Sequence, residues 1–418
     1  MDWGREAQHR LQDIATLSAP GAGVTRFPFT QEHADARDKI SQWMKAAGLK
    51  TRLDAACTLI GRREGPPGSP TFLIGSHQDS VLGGGAYDGI MGVALGCLAL
   101  EKLAADGITL PFAVEVLAFA DEEGVRFPTA LIGPRALAGT LDDRVLDMCD
   151  QDGVTLAGAL NSAGGDAATI AKIARSRSDI LGYLEAHIEQ GPLLESEDLP
   201  LGIVTGICGI ERNTVTFTGA TGHAGTVPMN LRQDALVAAA HLIAEVDRLA
   251  STDPNIRATV GRIENHPNVV NGIPREVTVT VEIRGTDDAI RQRFAGELKS
   301  FCAEISCNRR IDVSFERTYE QTAVSCDEGF RTLLAGACEA EGIAPRELPS
   351  GATHDASAMA DLCPIVMLFT RCRGGISHSP EEYATDADMG QTVTVMARFL
   401  QDLAAHVSHS AEPAQAAR

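Results

Sequence analysis

TFLIGSHQDSVLGGGAYDGIMGVALGCLALEKLAADG, residues 71–107, is the stretch on which the reading of this chain turns. It opens on a short apolar run, TFLIGS (71–76), of the kind a central strand carries. It closes on IMGVALGCLALEKLAADG (90–107), a helix apolar nearly all round at its start, as a buried helix is. Between them lie His77, Asp79 and Asp88, set among glycines. A histidine and two acids where a buried strand ends belong to chemistry more than to packing.

The chain continues in the same rhythm. FAVEVLAFADEEG (112–124) is a second strand that runs into acids, and ILGYLEAHIEQGP (180–192) a third that ends in Glu, His, Glu and Gln. Strand, helix and strand at this spacing predict a parallel or mixed sheet with helices on its faces. Upstream, TQEHADARDKISQWMKAAGLK (30–50) is an amphipathic helix. Thr30 caps it, Ile40, Trp43, Met44 and Ala47 form its apolar stripe, and Gly48 ends it. Residues 141–180, rich in small residues, are expected to be helical with a Gly-Gly break at 164–165.

From residue 211 the pattern changes. ERNTVTFTG, IRATVGRIE, EVTVTVEIRGT and RIDVSFER read as strands, with helices RQDALVAAAHLIAEVDRLAS and AIRQRFAGELKSFCAEIS among them. The order is βαββαβ, the split ferredoxin-like arrangement. GFRTLLAGACEAEG and PIVMLFT then resume the first pattern. The expected fold is therefore α/β. A mixed-sheet catalytic domain of residues 1–210 and 326–418 is interrupted by an inserted domain, 211–325.

Composition agrees. At 418 residues the chain exceeds one ordinary core, and 44% hydrophobic with 22% charged residues is globular. A net charge of -20 argues against nucleic acid or an anionic membrane as partner, since both need basic patches. No apolar run is long enough to span a bilayer, and MDWGREAQHRLQDIATLS lacks the apolar core of a secretory signal. Ten scattered cysteines with no C-x-x-C pair are expected to be free thiols in a reducing cytoplasm. The Ala-rich tail after Ser408 is expected to be disordered.

In an open α/β sheet, functional groups gather at the carboxyl ends of the strands. Four such ends carry ligand-type side chains: His77 and Asp88, Glu122 and Glu123, His187, and His378 in RGGISHSPEE after PIVMLFT. Imidazoles with carboxylates suit zinc, manganese, cobalt or nickel, and this many donors are enough for a pair of ions. Asp88 is the expected bridge, because the glycines before it let its backbone approach closely. Adjacent side chains in an extended segment point opposite ways, so one of Glu122 and Glu123 can bind metal while the other faces the reacting water as general base. Asp79, two residues beyond His77, is placed to orient that imidazole from behind. In the inserted domain His223 and Asn271 lie in loops next to strands. In EVTVTVEIR, Arg284 lies opposite the valine face, where its guanidinium can grip a carboxylate.

Taken together, GSHQDSVLGGGAYDGIMGV, FADEEGVRF, YLEAHIEQGP, GATGHAGTVPM, NVVNGIP, EIRGTDD, SGATHDA and RGGISHSPEE resemble, in order, the dinuclear-metal amidohydrolases of the aminoacylase and carboxypeptidase-like metallopeptidase superfamily. That branch holds N-carbamoyl-L-amino acid hydrolase, allantoate amidohydrolase and β-ureidopropionase. The resemblance implies two divalent ions per subunit. His77, Asp88 and His187 would hold one, and Asp88, Glu123 and His378 the other. It implies Glu122 as general base and Gln190, His223, Asn271 and Arg284 as the substrate-binding set. It also implies a homodimer paired through the inserted lid domain. The implied substrate is a ureido acid such as an N-carbamoyl amino acid or allantoate, with a peptide or N-acyl amino acid as the alternative. Thr353 stands where the family commonly has glycine, Cys372 where it has a small polar residue, and Cys57-Thr58 where a Gly-Asn pair is usual.

Overall fold

The computed structural model describes residues 1–415, with side chains as far as Ser408. It divides into two compact units, Met1–Thr205 with Cys326–Arg418, and Gly206–Ser325. The second unit begins ahead of residue 211 because its first strand already starts at Gly209.

The larger unit is built on a mixed sheet. Its strands run in the order Lys50–Leu53, Leu59–Arg63, Ala113–Phe119, Thr71–His77, Ile180–Ile188, Ile365–Thr370 and Leu201–Ile207. The four central strands are parallel, with His77 beside Phe119, Ile74 beside Leu184, and Phe369 beside His187. Their carboxyl ends therefore share one edge, as the four ligand-bearing segments required. Every residue of Thr71–His77, Ala113–Phe119 and Ile365–Thr370 is buried, which is why these strands read as continuous apolar runs and not as alternating ones. The helix Ile90–Ala105 lies in the same core and buries Val93, Leu95, Leu98 and Leu100 completely. Each such side chain contributes about 1.5–3 kcal/mol.

The smaller unit is a four-stranded antiparallel sheet in the order Asp312–Gln321, Gly209–Thr218, Glu276–Gly285, Ile256–His266. This is the βαββαβ connectivity. Val277, Val279, Val281 and Ile283 are fully buried and share a core with Leu242 and Val246 of the helix Ala235–Thr252 and Leu298 of the helix Asp288–Arg309.

Residues 141–180 depart from expectation. They hold one seven-residue helix, Leu156–Ser162, and three short 3₁₀ turns. Aspartates account for this. Asp142, Asp150 and Asp166 each accept hydrogen bonds from nearby backbone N–H groups, which diverts the backbone from helical pairing. Among the helices that escaped the sequence reading, the two longest are Trp3–Ala15, capped by Asp2, and Asp386–Gln415. The latter carries the backbone of the tail beyond Ser408 as helix to Gln415, and 416–418 lie outside the described residues. All ten cysteines are free. Among the described residues no helix is long and apolar enough to cross a membrane.

One buried group ties this fold to pH. In the helix Gln31–Ala46, His33 is fully buried and neither ring nitrogen has a hydrogen-bond partner. Burial, then the Arg26 and Arg37 cations, push its imidazole down to about 3. The unfolded chain takes up this proton near pH 6.5 and the folded chain does not. The contribution of His33 to stability is thus fully present above pH 6.5 and is lost as pH drops from there toward 3, by up to about 1.4 kcal/mol per pH unit. His33→Phe is expected to lose less stability than wild type between pH 7 and pH 4.5 in chemical denaturation; equal losses would refute the assignment.

Candidate metal centre

The parallel strands deliver His77 and His187 directly, as buried side chains at strand ends. Asp88 returns to the same edge through the glycine loop. Gly89 then turns at φ +64°, and a Cβ there would stand 2.3 Å from the His77 ring. No other residue meets both demands, so the glycine that follows Asp88 makes room for the imidazole.

Asp88 is the centre of the constellation. Its Oδ1 lies 3.0 Å from His187 Nε2 and 3.4 Å from His77 Nε2. Its Oδ2 lies 3.3 Å from His378 Nε2, which in turn is 3.7 Å from Glu123 Oε1. One carboxylate thus faces two histidines with one oxygen and a histidine–glutamate pair with the other. In each of the groups His77–Asp88–His187, Asp88–Glu123–His378 and His77–Glu122–Glu123, the donor atoms lie within 4.8 Å of one another.

The electrostatics follow from this crowding. Burial pushes the Asp88 carboxyl up, but His187, His378 and His77 override it and hold Asp88 well below the ordinary carboxylate range. Burial raises Glu122 well above its usual value against the pull of His77, with Glu123, Asp355 and Asp79 adding to the rise. Burial and then Asp88 raise Glu123 to about 7. Hydrogen bonding to Asp88 lifts His378 to about 8. Carboxylates packed this closely are what a divalent cation relieves. The donors fit such an ion: imidazole nitrogens and carboxylate oxygens converge, and Glu123 Oε1 is buried with no hydrogen-bond partner.

Orientation comes from behind. His77 Nδ1 is 3.0 Å from the backbone oxygen of Asp79, and His187 Nδ1 is 3.0 Å from that of Ile188, so each Nε2 faces the centre. The Asp79 carboxylate itself stands 3.9 Å from His77 Nδ1 and accepts instead from the backbone N–H groups of Glu122 (3.3 Å) and Glu123 (3.2 Å). Asp79 thus orients the imidazole through its main chain and braces the two glutamates through its side chain, a division invisible in sequence.

A fourth cluster, Glu185, His187 and His354, lies behind the first three and is buried throughout. Both His187 nitrogens are already engaged, by Ile188 and by Asp88. His354 donates to or accepts from Ser350 Oγ at 2.8 Å and packs edge-on to His187 with ring centroids 4.5 Å apart. Glu185 accepts from Ser76 Oγ and from the backbone N–H of Ala356, each at 2.8 Å. This cluster is packing behind a ligand. Neither Glu185 nor His354 was singled out in the sequence, although both lie in stretches that were, YLEAHIEQGP and SGATHDA.

The remaining expected residues fall in two places. Gln190 lies at the centre: its Nε2 donates to Asp88 Oδ2 (2.9 Å) and Ser377 Oγ (3.0 Å), and its Oε1 is buried with no partner. His223, Asn271 and Arg284 lie on the smaller unit. There His223 bridges Gly272 and the N–H of Ala224 donates to the Asn271 carbonyl at 2.9 Å, so the two loops are joined. Arg284 Nε donates to Glu282 at 2.8 Å. Cys372 is fully buried, and burial pushes its thiol up to about 11, which leaves it a packing residue.

Residues 68–402 match the Peptidase family M20/M25/M40. An N-carbamoyl-L-amino acid amidohydrolase of Geobacillus stearothermophilus is 38% identical, over 96% of this chain and 98% of that protein. An allantoate deiminase of Arabidopsis thaliana is 37% identical, over 95% of this chain and 82% of that protein. Among solved structures, an amidase of the hydantoinase/carbamoylase family from Burkholderia multivorans superposes with a TM-score of 0.89 at 32% identity, covering 96% of this chain and 97% of that one. The chain belongs to the peptidase M20/M25/M40 family, on the side of its amidohydrolases.

Proposed function

We propose that the protein hydrolyses the C–N bond of a ureido acid, an N-carbamoyl-L-amino acid or allantoate, with release of ammonia. The observation that carries this reading is the division of Asp88, whose two oxygens face two different sets of donors. Two divalent ions, one held by His77, His187 and Asp88 and the other by Asp88, Glu123 and His378, would supply Lewis acidity to the substrate carbonyl and to water. Zinc, manganese, cobalt and nickel all suit these donors.

The side chains supply the rest. Glu122 takes a proton from the attacking water at its carboxylate and hands it to the departing nitrogen. The water oxygen bonds to the carbonyl carbon and the C–NH2 bond breaks, releasing NH3 and the carbamic acid R–NH–COOH. This loses CO2 as its N–C bond breaks and its acid proton passes to nitrogen, leaving R–NH2, which for allantoate is ureidoglycine. Gln190, with its carbonyl oxygen unpaired, accepts from a substrate N–H. His223 and Asn271 are assigned to the oxyanion and Arg284 to the substrate carboxylate.

We assign the inserted unit the roles of lid and of pairing surface in a homodimer. Its exposed Met229, Leu231, Val269 and Val270 support the pairing role. Ten free cysteines support a reducing, cytoplasmic setting. The test is a panel on metal-loaded protein: ammonia release from N-carbamoyl-L- and D-amino acids, β-ureidopropionate and allantoate, against amine release from N-acyl amino acids and dipeptides.

A further inference from the structure

Asp88 must hold each oxygen toward a different set of donors, yet it lies at the end of a loop rich in glycine, which by itself specifies no such orientation. What fixes it comes from the far end of the chain. Glu382 is 4% exposed, and its Oε1 accepts from the backbone N–H of both Tyr87 and Asp88, each at 2.9 Å. Its Oε2 lies 3.2 Å from Ser377 Oγ, and that hydroxyl lies 3.0 Å from Asp88 Oδ2. The glutamate therefore holds the main chain of Asp88 directly, and Ser377, whose one hydroxyl proton can go to either carboxylate, stands between the two side chains.

The packing is specific to this contact. A Cβ on Gly85 would stand 2.2 Å from Glu382 Oε1 and 2.4 Å from Glu382 Cβ. The side chain of Glu382 lies across the face of Gly85, so the space the glycine leaves is the space the clamp occupies. A buried acid this close to another is poor packing unless its oxygens are needed, and here one oxygen takes two main-chain donors that would otherwise lack an acceptor.

We propose that Glu382 is the positioning residue that seats Asp88 as the metal bridge, with Gly85 as the gap that admits it. It acts through an acceptor oxygen on the Tyr87 and Asp88 N–H groups and touches neither metal nor substrate. The inference rests on the dinuclear reading above.

The test is cobalt(II) binding to the full-length apo protein, followed by visible absorption and by calorimetry, in wild type, Glu382→Gln, Glu382→Ala, Gly85→Ala and Gly85→Ala/Glu382→Ala. Gln keeps the acceptor oxygen and is expected to bind within about threefold of wild type, whereas Glu382→Ala and Gly85→Ala weaken binding by about 10–100-fold, the usual effect of removing an outer partner of a ligand. The double variant is expected to bind no more weakly than the worse single one, because both remove the same contact. Gly85→Ala retains the carboxylate and carries the test should Glu382→Ala fail to fold. Wild-type affinity in Glu382→Ala or in Gly85→Ala, or effects that multiply in the double variant, would overturn the proposal and leave the metal reading standing. A wild-type protein that takes up no cobalt would overturn both.

Discussion

Glu122→Gln is expected to bind metal as wild type does and to lose at least about 1,000-fold in kcat, within the range that a positioned general base contributes. The variant keeps the size and shape of the side chain and removes only its capacity to take a proton. Glu122 is 8% exposed, and its carboxylate lies in one group with His77 and Glu123, all donor atoms within 4.8 Å. Burial, with the Glu123, Asp355 and Asp79 carboxylates, raises its affinity for a proton against the pull of His77. Its neighbour Glu123 also reaches His378, whose Nε2 lies 3.7 Å from Glu123 Oε1. Single-turnover rates and metal content, measured on one preparation, separate the two glutamates: Glu123→Gln is expected to lose metal and Glu122→Gln is not. Wild-type turnover in Glu122→Gln would remove it from the reaction.

The second large effect is at Asp88. Asp88→Ala is expected to weaken both ions by more than about 100-fold, beyond the 10–100-fold that outer partners of a ligand contribute, because one carboxylate serves both sets of donors. Asp79→Ala is expected to behave differently. Its carboxylate braces the Glu122 and Glu123 backbone and lies 3.9 Å from His77, whose orientation rests on a main-chain oxygen that alanine keeps. Its loss should lower the rate and leave both ions bound. Elemental analysis after dialysis against metal-free buffer checks the pair; two ions retained in Asp88→Ala, or none in Asp79→Ala, would reverse the assignment.

The contrast between these two aspartates shows where sequence reading works and where it stops. Four apolar runs each followed by a donor residue were legible because a parallel sheet has one carboxyl edge, and His77, Glu122, His187 and His378 had to meet there. The alternation in EVTVTVEIRGT was legible for the same kind of reason, a period of two on a half-buried sheet. The further contacts of the Asp79 side chain were not legible because sequence neighbours invite local contacts, whereas its backbone donors, Glu122 and Glu123, come from a neighbouring strand end. Glu382 was quoted within RGGISHSPEE and passed over, because its partners are main-chain N–H groups 294 and 295 residues away, which no side-chain pattern records. Residues 141–180 looked helical by composition, and aspartate-to-backbone hydrogen bonds decided otherwise. The ring of His354 against His187 depends on a loop crossing that no periodicity specifies.

The central claim is that a two-ion centre built on Asp88 cleaves a ureido acid. The most direct measurement strips the protein with chelator, returns manganese or zinc stepwise, and follows ammonia release from N-carbamoyl-L-amino acids and allantoate. The account predicts no ammonia from the stripped protein and a rate that rises to a plateau at two ions per chain. Undiminished ammonia release from metal-free protein, or release of amine from N-acyl substrates with no ammonia from any ureido acid in the fully loaded protein, would contradict it.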